Sequence, residues 1–130
     1  MISGKSLFIR NLLVSTKYYE INCRNPKVFE DTFHWQMSSK DKDTEVLWFH
    51  DINKKADMCF FISLTGLIRV NPKIEKVFYI NPRLVLEFSE EIKNFPKDAS
   101  FIRRFHIINT NTITYRDLVS FLIKWNKKEL

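Results

Sequence analysis

The order of apolar and polar positions divides the chain into short elements. In Ser6–Val14, Leu7, Phe8 and Ile9 and then Leu12, Leu13 and Val14 recur at spacings of three to four, which predicts one helical face. Tyr18–Cys23 carries aromatic and branched residues and predicts a short strand. Asn25-Pro26 supplies an N-cap followed by proline at the first helical position, and Val28, Phe29, Phe33 and Met37 give that expected helix its apolar face.

After the polar stretch Ser38–Thr44, two apolar runs, Glu45–Ile52 and Met58–Leu64, flank the polar AsnLysLysAlaAsp. This is the pattern of an antiparallel hairpin with a five-residue connection. Leu67–Val70 and Ile74–Ile80 are expected to extend the sheet, separated by the turn signal Asn71-Pro72. Asn81-Pro82 repeats the cap-then-proline signal, and Val85, Phe88, Ile92 and Phe95 then predict a helix that ends before Pro96. Phe101–Ile108 has the composition of a strand. The last helix starts at Thr114, whose spacing to Asp117 resembles a capping box, and presents Tyr115, Leu118, Leu122 and Trp125 on one face.

The expected fold is therefore α+β: one globular domain over residues 1–130, with a mostly antiparallel sheet centred on a hairpin at about 45–64 and packed against three or four helices. The three Asn-Pro pairs, at 25, 71 and 81, share no period, so no repeat is present.

Composition sharpens this picture. A hydrophobic fraction of 45% and a charged fraction of 28% belong to a folding chain and exclude the signature of disorder. With 12 Phe and only 2 Gly, the core is expected to be built on phenylalanine. The abundance of Ile, Lys, Asn and Phe fits codons rich in A and T, as in many viral or mobile-element genomes. No stretch reaches the ~18 consecutive apolar residues of a membrane span, and Arg10 and Asn11 interrupt the N-terminal apolar run where a signal peptide needs continuity. A cytoplasmic location, or the host cell interior for a viral protein, is the expectation. Cys23 and Cys59 form no CxxC and fit a reducing compartment.

The formal charge of +6 favours a polyanionic partner. Its best sequence constellation is the basic, aromatic segment holding Arg103, Arg104 and His106, together with Lys124, Lys127 and Lys128 at the end of the last helix. Aromatic rings stack bases while cations contact phosphate. A core-facing Phe101, Phe105 and Ile107 explains the same strand without a ligand, and basic residues at a helix C-terminus also complement its dipole. Lys54, Lys55, Lys73, Lys76 and Arg83 join such a patch only if folding gathers them.

Enzymatic signatures are sparse. The two glycines, Gly4 and Gly66, open neither a phosphate loop nor a dinucleotide fingerprint, and GxSxG, HExxH and HxH are absent. His34, His50 and His106 have no partner at ligand spacing, so no metal or cofactor is expected. A nuclease would have to assemble its carboxylates from Glu30, Asp31, Glu45, Asp51 and Asp57. The expected function is a small, non-catalytic, nucleic-acid-associated accessory or regulatory protein. The alternatives are a protein-binding regulator, such as an inhibitor, immunity-type protein or complex subunit using Trp35, Trp48 or Trp125, and a metal-dependent nuclease.

Overall fold

A computed structural model describes residues 4–30, 32–52, 58–88, 105–108 and 112–128. The chain divides into two compact units, Met1–Ile92 and Lys93–Leu130.

The first unit is organised by one strand. Val46–Ile52 (β2) buries four consecutive side chains, Val46, Leu47, Trp48 and Phe49, which is the profile of a strand covered on both faces. Its neighbours are Tyr18–Asn22 (β1) and Arg83–Phe88, and both run parallel to it, in the order β1, β2, then the 83–88 strand. The register pairs Glu20 with Trp48 and Asn22 with His50 on one side, and Trp48 with Val85 and Phe49 with Leu86 on the other. The next pair is Ile52 with Phe88, so β2 carries one extra residue at a bulge, where Asp51 adopts φ 59.

Side chains alternate along each strand, so the two faces differ in chemistry. The helix Gly4–Leu12 (α1) covers the face of Trp48 and buries Ile9, with Leu13 just beyond its end. The opposite face meets a phenylalanine cluster. Phe49 lies 5.5 Å from Phe33 and 5.3 Å from Phe61 between ring centroids, and Phe29 lies 5.4 Å from Phe60, all edge to face. The expected phenylalanine core is thus found beneath one side of the sheet.

Between β2 and the third parallel strand lie a short helix, Met58–Ser63 (α2), and a small antiparallel pair, Ile68–Val70 (β3) with Phe78–Ile80 (β4). The 83–88 strand is accordingly β5. The second unit holds the longest helix, Tyr115–Asn126 (α3).

The antiparallel α+β expectation is therefore overturned: the main sheet is parallel, and the described residues contain three helices, one long and two short. The hairpin at 45–64 does not form. Met58–Ser63 is helical, because a short apolar run fits either period; it buries Phe61, and Leu64, three residues on and just beyond its end, is buried too. The helix expected after Pro82 is a strand over 83–88, where the aliphatic run Leu84–Leu86 fits a half-covered sheet edge and the preceding proline needs no ladder donor. The remainder of that expected helix lies outside the described residues.

The helix expected after Asn25 becomes two 3₁₀ turns, Pro26–Glu30 and Phe33–Gln36. Local side-chain bonds compete for its backbone: Lys27 N donates to Asn25 Oδ1 at 3.1 Å, and the Thr32 hydroxyl donates to the Lys27 carbonyl at 2.6 Å. Phe105–Ile108 has no regular structure, and the rest of that expected strand lies outside the described residues. The Thr114 cap does form, with Asp117 N donating to Thr114 Oγ1 at 3.1 Å, although α3 buries Phe121 and Trp125 and turns Tyr115 outward.

Candidate nucleic-acid interface

Of the basic residues singled out by sequence, Arg103 and Arg104 lie outside the described residues. His106 is exposed, and its ring stacks on Phe121 with centroids 5.4 Å apart and planes at 29°. Phe121 in turn lies 6.3 Å from Trp125. Lys124 follows Phe121 by one helical turn and so rises beside this stack. Past the last turn, Lys127 N donates to the Ile123 carbonyl at 3.1 Å and Lys128 N to the Trp125 carbonyl at 3.0 Å, with Lys128 in the left-handed region at φ 58. The three lysines are all exposed and are gathered at the helix end where cations are favoured. Over residues 112–128 four basic side chains face one acidic one, Asp117.

A second exposed surface lies in the first unit; Lys73, Lys76 and Trp35 are separate candidates from sequence, whereas Arg69, Tyr79 and the pairing of Trp35 with Lys73 emerge only in the structure. β3 and β4 turn Ile68, Val70 and Ile80 inward, leaving Arg69 directly opposite Tyr79 on the outer side, with Tyr79 56% exposed. The loop joining them is tied to the 3₁₀ segments. His34 Nδ1 sits against the Asn71 backbone, 3.0 Å from its oxygen and 3.2 Å from its nitrogen. Lys73 Nζ stands 4.6 Å from the centre of the Trp35 ring, and the Glu75 carboxylate accepts the Ser39 backbone N–H. Trp35 is 46% exposed, whereas Trp48 and Trp125 are 1% and 7%. No sequence signal joins Trp35 to Lys73, because the pairing depends on tertiary structure alone.

The third polar group lies towards the C-terminal end of the parallel strands. Arg10 Nη2 approaches Glu20 Oε1 at 3.4 Å, Glu20 Oε1 lies 3.0 Å from His50 Nε2, His50 Nδ1 lies 3.4 Å from Asp51 Oδ2, and Asp51 Oδ2 lies 3.1 Å from Arg24 Nε. Both imidazole nitrogens face a carboxylate, and both carboxylates face a guanidinium. On the same face the Arg10 guanidinium lies 5.1 Å from the centre of the Trp48 ring, and the buried Glu87 accepts from Ser6 Oγ at 3.1 Å. Trp48 Nε1 is the one buried side-chain donor without a partner among the described residues. Alternating charge of this kind links α1, β1, β2 and the turn after β1, and its groups are occupied by one another.

Cys23 sits at this end of the sheet, its N–H donating to the His50 carbonyl at 2.9 Å. Burial, with the Asp51 charge second, pushes its thiol up to about 12, far from a reactive thiolate. Cys59 is exposed, and no disulfide joins the two.

Among the described residues, the carboxylates proposed for a nuclease are not gathered. Glu45 precedes β2 and Asp51 lies near its far end, Glu30 is exposed on a 3₁₀ turn, and Asp31 and Asp57 lie outside the described residues. No three His, Cys, Asp or Glu side chains among the described residues converge as metal ligands. Arg83 opens β5, where burial lowers the guanidinium's ordinary value and Glu45 acts the other way. In the polar stretch Ser38–Thr44, Asp41 accepts from Ser38 N at 2.8 Å. Lys54 and Lys55 lie outside the described residues. No helix among the described residues is long and apolar enough to cross a membrane.

Compared with known proteins, the chain matches no family model, no curated protein and no solved structure.

Proposed function

We propose that this chain is a small nucleic-acid-associated accessory protein that binds through its basic second unit and performs no catalysis of its own. The observation that carries this reading is the exposed His106 ring stacked on Phe121 beside Lys124, with Lys127 and Lys128 at the same helix end. Lysines there supply phosphate contacts, and an exposed imidazole lying flat on an aromatic offers a second ring for a base. The net charge of +6 acts in the same direction. A reducing, cytoplasmic interior suits the two unbridged cysteines, and the abundance of Ile, Lys, Asn and Phe suits a viral or mobile-element source with an A- and T-rich genome.

The test is a gel shift of labelled DNA and RNA at low salt, comparing the natural chain with Lys124→Gln/Lys127→Gln/Lys128→Gln. Binding is expected for the natural chain and at least a tenfold weakening for the variant. Equal binding by both, or none by either, contradicts the reading.

One observation favours a protein partner instead. Tyr115, Val119 and Ile123 recur every four residues along α3 and are all exposed, forming an apolar line that a partner helix would cover. A stable heterologous complex abolished by Val119→Asp, with no nucleic-acid shift, is the outcome that would support this second reading.

A further inference from the structure

The β3–β4 hairpin shows an arrangement that packing does not require. Its inner side chains, Ile68, Val70 and Ile80, suffice to seat it on the first unit. Its outer face nevertheless carries Arg69 opposite Tyr79 in the register, and its loop holds Lys73 over Trp35. From Leu67 to Tyr79 there are three basic residues, Arg69, Lys73 and Lys76, and one acidic residue, Glu75. That carboxylate accepts the Ser39 backbone N–H, which fixes its position, and the segment keeps a net positive charge. Two exposed rings, each with a cation against or opposite it, remain on one tethered hairpin and its neighbouring turn.

We infer that this hairpin surface binds unpaired nucleotides, with Trp35 and Tyr79 as base-stacking rings and Lys73, Arg69 and Lys76 as phosphate contacts. Single strands fit better than duplex. Stacking on an exposed ring needs a base whose face is available, and in a duplex those faces are taken by neighbouring pairs. Charge complementarity selects the polyanion, since the cations of the hairpin outnumber its one acid. The inference takes its ligand class from the reading above and adds a second surface, in the other unit, that favours single strands.

The test uses the full-length chain and fluorescein-labelled oligothymidylate and oligouridylate, with a DNA duplex of equal length as control. Because Trp35 is the exposed tryptophan, single strands are expected to quench the natural chain's tryptophan emission, and the quenching is expected to vanish in Trp35→Phe. Trp35→Leu and Tyr79→Leu should each weaken single-strand affinity about 5- to 150-fold, the range for losing one stacked base, while changing duplex affinity little.

Absence of quenching with single strands that do bind overturns the inference, and needs no variant to be observed. So does unchanged single-strand affinity in both leucine variants, or an equal loss for single strands and duplex. Failure of the broader reading looks different: the natural chain then shifts neither single strands nor duplex at low salt.

Discussion

Two cation–ring pairs of similar geometry sit in opposite surroundings. Arg10 lies 5.1 Å from the Trp48 ring and Lys73 lies 4.6 Å from the Trp35 ring, yet Trp48 is 1% exposed and Trp35 46%. The inner ring is enclosed between α1 and the sheet, and its cation, Arg10, although 54% exposed, is held by Glu20 and so continues into the Glu20–His50–Asp51–Arg24 chain. Its cation is committed to the fold. The outer pair ends at solvent, on a loop held by His34 and Glu75, and its ring keeps area for a ligand. One kind of contact thus serves structure where it is buried and remains available for binding where it is not.

That contrast predicts separable effects. Trp48→Ala empties a fully enclosed site under α1 and is expected to cost ~3–5 kcal/mol, read as a lower urea midpoint. His50→Ala leaves Glu20 and Asp51 without the imidazole between them, and a loss of ~1–3 kcal/mol is expected in the same experiment. An equal cost for Trp35→Ala would erase the distinction between the pairs. Lys73→Met should shift stability by no more than ~0.5 kcal/mol while reducing single-strand affinity.

Cys23 probes the inner region without large perturbation. Its thiol is raised from an ordinary 9.0 to about 12, first by burial and then by Asp51. The unfolded chain therefore releases this proton at lower pH than the folded one, so the contribution is intact below about 9 and is lost as pH rises towards 12. Cys23→Val is expected to flatten this alkaline decline. At pH 8, iodoacetamide should modify the exposed Cys59 readily and Cys23 only on unfolding, as mass spectrometry of the folded and urea-treated chain would record.

Local signals in the sequence carried local structure. The first helix, the Tyr18 strand and the Thr114 cap depend on residues a few positions apart, and each formed, although Leu7 and Val14 of the expected helical face are exposed. Strand direction did not follow from such signals, since β2 pairs with partners at Tyr18 and Arg83, each separated from Val46 by a long crossover. The unbroken apolar run Val46–Phe49 was the available hint of a two-sided parallel strand. Met58–Ser63 was indistinguishable from a strand by period alone.

The candidate sites divide in the same way. Lys124, Lys127 and Lys128 were legible because one helix end holds them, whereas the Trp35–Lys73 pair and the His50 chain exist only through tertiary contacts between distant segments. Asp51 and His50 are neighbours in sequence, and in a regular strand their side chains would point apart. The bulge and the left-handed Asp51 bring the carboxylate back to within 3.4 Å of the ring.

The salt dependence of nucleic-acid affinity tests the functional account most directly. Titrating labelled oligothymidylate at increasing potassium chloride should give a linear fall of log affinity against log salt with a slope of about −2 to −4, as expected when three to six phosphates are neutralised at ~0.7 each. A flat dependence, or no binding at the lowest salt, would contradict the account.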